Sequence, residues 1–198
     1  EMTSSLVGSE MCIRDSERIV AEYKAKGWEN VICYGMGSTL DDVKNAAAAE
    51  MNIVCSAAAI KAAEYLKEKF GTPYEIEYPQ SCLPEEIVQK ADNFTDKNVL
   101  VIHNQTAADA VRKLITEKSG KCHCTSATFF MQKKELSQQS DFFLADESDL
   151  CDNVGDNYDV VIADKALRCV MKNFSGEFID FPHFGLSGRL LQGESEKI

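Results

Sequence analysis

The sequence predicts an α/β protein made of two Rossmann-like three-layer α/β/α domains with mainly parallel sheets. Short β-branched runs alternate with helical periods from Glu17 onward, turn residues separate them, and the alternation restarts after the polar stretch Thr95–Lys97. Taken in order, Glu17–Lys26 has a helical period and stops at Gly27, and Asn30–Tyr34 (NVICY) is a strand. GMGST is a turn, and Leu40–Ala49 is helical. MNIVC is the next strand, and Ala57–Phe70 is an Ala-rich amphipathic helix closed by Gly71. PYEIEYP is a further strand, and Pro84–Phe94 is a linking helix. In the second half NVLVIH is a strand, Ala107–Lys118 a helix and CHCTSATFF a strand. An irregular, partly acidic region runs from Gln132 to Asn157. YDVVIAD is then a strand, Lys165–Asn173 a helix, and EFIDF a last strand leading into PHFGLSGR.

The stretch SLVGSEMCIRDS, Ser5–Ser16, fits neither pattern. Leu6–Ser16 back-translates, with permissible codons, to an oligonucleotide resembling the adapter and transposon end used in sequencing-library preparation. It also lacks the basic start and apolar core of a signal peptide. It is therefore read as an artefact forming a poorly packed tail over residues 1–16, with the natural chain starting near Glu17 and upstream sequence lost. The expected domains are residues 17–96 and 97–198, joined near Phe94–Lys97.

The chain has 198 residues, 44% of them hydrophobic, enough for a sizeable core. Its formal charge of -11 and scattered lysines and arginines argue against a nucleic-acid partner or an anionic membrane, both of which call for a basic patch. No stretch approaches the roughly 20 apolar residues that span a bilayer, so a soluble chain is expected, and its cysteine usage points to the cytoplasm. Cys33, Cys55, Cys82, Cys122, Cys124, Cys151 and Cys169 form no regular framework, consistent with reduced thiols.

In open α/β sheets, ligands bind beyond the carboxyl ends of the strands, so residues just after each strand carry most information. Cys55 ends MNIVC before a helix, where the helix dipole favours the thiolate that metals require; the alternative is a small buried residue. His183 follows EFIDF, and imidazole suits metal ligation or proton donation; the alternative is a loop histidine with a structural hydrogen bond. His103 also ends a strand, but HNQT reads as a turn and helix cap. GMGST offers Gly35, Gly37, Ser38 and Thr39 as an anion-binding junction, or simply a tight turn with an N-cap. KCHC, residues 121–124, offers only two sulfurs on one strand face, too few for a closed metal site.

The segments ENVICYGMGSTLDDVKNAAAAEMNIVCSAAAIKAAEYLKEKFGTPYEIEYP and YDVVIADKALRCVMKNFSGEFIDFPHFGLSGR resemble the nitrogenase component 1-type oxidoreductase family. The resemblance spans most of Glu17–Arg189 and implies an iron-sulfur or related metal cluster, with Cys55 and His183 as metal ligands. His183 is also the implied catalytic proton donor, and Ser187 and Gly188, the Ser-Gly pair after it, lie beside the cofactor. Implied partners are a homologous component 1 subunit and an ATP-dependent iron-sulfur reductase. The alternative within the fold is a non-catalytic cofactor-assembly scaffold or a small-anion-binding module at Gly35–Thr39. The chain departs from the catalytic pattern by one residue fewer before Cys55 and by Gly185 where an aromatic residue follows the histidine. The family's first domain, which carries the bridging-cluster cysteines, is not matched, so the fragment alone is expected to be inactive.

Overall fold

The computed structural model describes residues 3–7, 13–34, 38–154 and 157–187. The chain divides into two compact units, residues 1–82 and 83–198, each with its own parallel sheet. No helix among the described residues is long and apolar enough to cross a membrane.

The first unit contains β1 (Thr3–Val7), α1 (Ile13–Ala25), β2 (Asn30–Tyr34), α2 (Leu40–Lys44), β3 (Met51–Val54), α3 (Ile60–Phe70) and β4 (Tyr74–Ile76). Its four strands run in the order β2-β1-β3-β4, all parallel. For Thr3–Val7 this differs from the expectation of a poorly packed tail over residues 1–16, of which residues 1–2 and 8–12 lie outside the described residues. Leu6 lies opposite Cys33 on one side and Ile53 on the other, so β1 is the strand that joins β2 to β3. The ladder fixes it because the two neighbours supply partners for both of its edges, whatever its side chains. The predicted helix at Glu17 likewise begins earlier, at Ile13.

α1 buries Ile19 and Tyr23, one helical turn apart, into a small core with Ile53, Cys55 and Cys82. The Tyr23 hydroxyl donates to Glu77 Oε2 at 2.8 Å, and the Ser81 N–H donates to Glu22 Oε2 at 2.9 Å, tying α1 to the chain after β4. Gly71 ends α3 with φ +78°, a left-handed cap that a side chain would strain, and its N–H donates to the Lys67 carbonyl.

The second unit contains α4 (Glu85–Lys90), β5 (Asn98–Ile102), α5 (Gln105–Ser119), β6 (His123–Thr128), β7 (Phe142–Phe143), α6 (Glu147–Val154), β8 (Val160–Ala163), β9 (Glu177–Asp180) and α7 (Phe184–Ser187). Its five strands run β7-β6-β5-β8-β9, all parallel. The apolar runs of β5 and β8 sit at and beside the centre of this sheet, and Val99–Ile102 and Val160–Ala163 are buried. Burying each such Val, Leu or Ile side chain contributes roughly 1.5–3 kcal/mol. α5 covers the sheet with Ala107, Ala108, Val111 and Ile115, which recur at helical spacing.

A single Rossmann-like domain is evident, the second unit, and not two. The first unit falls short because α2 is only five residues long and buries none of them, leaving Leu40 80% exposed. The helix predicted over Leu40–Ala49 breaks into α2 and a 3₁₀ turn, Asn45–Ala48. The Pro84–Phe94 segment belongs to the second unit: Ile87, Ala91 and Phe94 are buried, and Lys118 Nζ donates to the Val88 carbonyl at 2.9 Å. The region 132–157, read as irregular, contains β7 and α6, whose Leu150 and Val154 reach the core one turn apart.

Candidate functional site

Chain order in the second unit creates a switch point. β5 leads through α5 to β6 on one side, and β8 returns to pair with β5 on the other. The crevice beyond the carboxyl ends of β5 and β8 is where open α/β sheets bind ligands. Because Ile102 lies opposite Ala163, and Ala163 opposite Asp180, the next residues are His103, Asp164 and Phe181 in one row. His183 follows two residues after Phe181.

The four residues are buried: Asp164 and Phe181 are 0% exposed, His183 2% and His103 4%. Asp164 Oδ2 accepts the His183 N–H at 2.7 Å, while Oδ1 accepts the Ala166 N–H at 2.8 Å and caps the turn Lys165–Cys169. His183 Nδ1 accepts the Gly185 N–H at 3.0 Å. The Leu186 and Ser187 N–H groups donate to the His183 carbonyl at 3.0 and 3.2 Å, closing α7. The imidazole of His183 stacks on Phe130 with centroids 3.9 Å apart and rings within 12° of parallel. Its other neighbour is the His103 ring, 4.6 Å away at 64°, and His103 stacks on Phe181 at 4.0 Å.

Two polar residues after β5 anchor this row. Asn104 Oδ1 accepts the Ala107 N–H and the Thr106 hydroxyl, both at 2.9 Å, the helix cap expected of HNQT. Gln105 donates to the Lys133 carbonyl and accepts the Lys133 N–H, pinning the loop that carries Phe130. A Cβ on Gly185 would come within 3.3 Å of His183 Nδ1 and 3.4 Å of Phe130 Cε1. The glycine that departs from the catalytic pattern thus leaves the stacking face of His183 to Phe130.

Cys55 lies in the first unit and is built differently. It follows β3, and Ser56 caps the next turn by accepting the Ala58 N–H at 3.3 Å. The thiol is 2% exposed in the core with Ile19, Tyr23, Ile53 and Cys82, and this burial, reinforced by Cys82, pushes its pKa well up. The lowering expected from the helix terminus is outweighed, because an apolar core opposes the thiolate more strongly than one short turn favours it.

At the GMGST turn, Gly35 and Gly37 lie outside the described residues, as does Gly188. Thr39 forms a capping box: its N–H donates to Asp42 Oδ2 at 2.7 Å and its hydroxyl oxygen accepts the Asp42 N–H at 3.2 Å. The chain's own carboxylate therefore takes the donor that an external anion would use, with Ser38 immediately before it.

Taken by itself, neither unit makes a metal site among its described residues. Among the described residues no group of three or more His, Cys, Asp and Glu is placed to hold an ion, Cys55 is held as a thiol in an apolar core, and His183 Nδ1 is taken by a main-chain donor. Sequence reading missed Asp164 and Phe130 and understated His103. The available signal was that two fully apolar strands, VLVI and VVIA, each run directly into an ionisable residue.

The fold defines a Rossmann-like α/β domain with a row of buried residues at its switch point. Among solved structures the chain is similar to one described as "Nitrogenase Cp1 at pH 6.5", with a TM-score of 0.59 and 13% sequence identity. The match covers 91% of this chain and 53% of that one, so the chain spans about half the length of the structure it matches. No protein-family model matches the chain, and no curated protein does.

Proposed function

We propose that the chain forms part of an oxidoreductase subunit with a nitrogenase component 1-like fold. It would work beside a homologous subunit and receive electrons from an ATP-dependent iron-sulfur reductase. The observation that carries this reading is the fold similarity over 91% of the chain, in which His183 ends up buried at a strand-end switch point. The resemblance read from the sequence around Cys55 and His183 supports it independently of the fold. The second unit's share is to present His183, its backbone held by Asp164 and its ring covered by Phe130 on one side and by His103 on another. Ser187, one turn beyond, completes α7 at the same strand end.

A second reading, a non-catalytic scaffold of the same fold, is favoured by the apolar surroundings of Cys55, which hold a thiol more readily than a cluster ligand. An anion-binding role at Gly35–Thr39 is less supported, since Thr39 already serves Asp42.

The experiment is anaerobic co-production with the homologous subunit and the reductase, followed by iron analysis and ATP-dependent oxidation of the reductase. Electron uptake with iron retained in the complex supports the oxidoreductase reading. Iron acquired and then passed to an acceptor protein without electron uptake supports the scaffold. A chain that neither assembles with the subunit nor carries iron overturns both.

A further inference from the structure

We propose that the connection between β6 and β7, residues 129–141, is a strap that opens over the switch point of the second sheet, with Gln105 as its latch and Phe130 as the cover it lifts off His183. β6 and β7 are parallel neighbours. A parallel pair is ordinarily joined by a crossover helix, whose own hydrogen-bond ladder and apolar face hold it against the sheet. This connection instead contains a single 3₁₀ turn, Lys134–Leu136. Connections of this length without a helix of their own are uncommon in compact domains and commonly serve as lids.

Side chains take over the fastening. At the near end Phe129 packs on the second core, and the Phe130 N–H donates to Thr128 Oγ1 at 3.0 Å. At the far end Asp141 accepts the Ser126 N–H at 2.9 Å and meets Arg112 Nη2 at 2.5 Å. Between these ends the strap is held by Gln105, in the first turn of α5 and 2% exposed. Its Oε1 accepts the Lys133 N–H at 2.9 Å, and its Nε2 donates to the Lys133 carbonyl and to the Ser137 hydroxyl, both at 3.0 Å. One buried amide thus makes three hydrogen bonds to the middle of the strap.

The stretch between Thr128 and that latch carries the cover. The half-buried Phe130 ring stacks on the imidazole of His183, which is 2% exposed, and the next residue, Met131, is 66% exposed. The buried imidazole therefore lies under a ring that itself reaches solvent. Movement of the strap between its fixed ends changes access to His183 and leaves the sheet in place, the separation of stabilities that local opening requires. The strap says how the site of the oxidoreductase reading is opened and rests on that reading only for what enters. Latch and cover are tested without partner, reductase or turnover, so the two fail separately.

The test is amide hydrogen exchange on the full chain, together with carbethoxylation by diethyl pyrocarbonate read at His183 by peptide mass spectrometry, the exposed His123 serving as reference. In the unsubstituted chain the Phe130 and Lys133 amides should exchange at least about tenfold faster than the Val101 amide, because opening the strap costs less than unfolding the sheet. Gln105→Met keeps the volume and removes the three hydrogen bonds. It should raise His183 carbethoxylation relative to His123 by about tenfold and speed the Phe130 amide, with residues 99–102 still protected. Phe130→Ala should raise His183 carbethoxylation similarly while the Lys133 amide keeps its parent rate, since the latch is intact. A Lys133 amide that exchanges only together with Val101, or His183 carbethoxylation indifferent to both substitutions, would overturn the proposal. So would a gain at His183 in Gln105→Met matched by equal loss of protection over residues 99–102. The exchange measurement on the unsubstituted chain decides the matter even if the variants do not fold.

Discussion

Asp164, fully buried after β8, accepts the main-chain N–H of His183 at 2.7 Å, so a residue of one strand end sets the backbone of another. The same carboxylate caps the turn that follows it through the Ala166 N–H. One side chain therefore satisfies two main-chain donors at the switch point of the five-stranded sheet, the buried His183 N–H and the part-buried Ala166 N–H.

Removing it leaves both donors without that acceptor. Asp164→Ala should destabilise the second unit by about 1–3 kcal/mol, chiefly the cost of leaving the buried His183 N–H without its acceptor, whereas Asp164→Asn, which keeps one acceptor oxygen, should cost about half of that. Urea unfolding followed by near-UV circular dichroism gives the comparison. Equal costs for the two variants would mean that packing, and not hydrogen bonding, is the residue's contribution.

The thiols should separate by burial. Cys55 is held well above its ordinary pKa, Cys124 is pushed up to about 12 and Cys33 to about 11, in each case mainly by burial, while Cys151 and Cys169 are exposed. At pH 8 in native buffer, iodoacetamide should label Cys151 and Cys169 first and Cys55 last, read by peptide mass spectrometry. Early labelling of Cys55 would show an opening of the first core that the packing around Ile19 and Tyr23 does not suggest.

A buried ion pair closes the outer half of the second sheet. Arg112 Nη2 meets Asp141 Oδ1 at 2.5 Å, and Asp141 also accepts the Ser126 and Gln138 N–H groups. Removing either partner strands the other, so Arg112→Met should cost about 3–5 kcal/mol. A loss below about 1 kcal/mol in denaturant titration would place the pair in contact with solvent.

Asp109, on the next turn of α5, is raised to about 6, mainly by burial. Its folded-state pKa lies above the usual carboxylate value, so the folded chain holds this proton where the unfolded chain releases it. Its contribution to stability is present below about pH 4 and is lost as pH rises through about 6. Asp109→Asn should therefore gain in unfolding midpoint relative to the parent on going from pH 4 to pH 8. A difference that stays flat across that range would show that Arg112, 3.5 Å away, keeps the carboxylate charged throughout.

β1 pairs with β2 and β3, so it should be indispensable to the first sheet. Deleting residues 1–12 should strip hydrogen-exchange protection from Asn30–Tyr34 and Met51–Val54 while leaving Val99–Ile102 protected. Unchanged protection in β2 and β3 would return Thr3–Val7 to the status of a tail.

The sequence by itself determined the strands whose side chains are apolar without interruption and the helices with a 3.6-residue period. The runs VLVI and VVIA became the buried bodies of β5 and β8, and Gln105–Ser119 became α5, because burial on a sheet or along one helix face selects those patterns directly. It also determined which chemically able residues stand just past strand ends, including His183, Cys55 and His103. Tertiary structure alone decided their circumstances. TSSLV carries too little apolar content to announce a strand, and only pairing on both edges makes it one. Cys55 occupies the predicted junction, yet the closing of Tyr23 and Cys82 around it sets its thiol chemistry. Asp164, His103, Phe130 and His183 come from four strand ends, and no local pattern relates them. They meet because β8 returns beside β5 on the side away from β6, an order set by packing both faces of one sheet and not by any short stretch of chain.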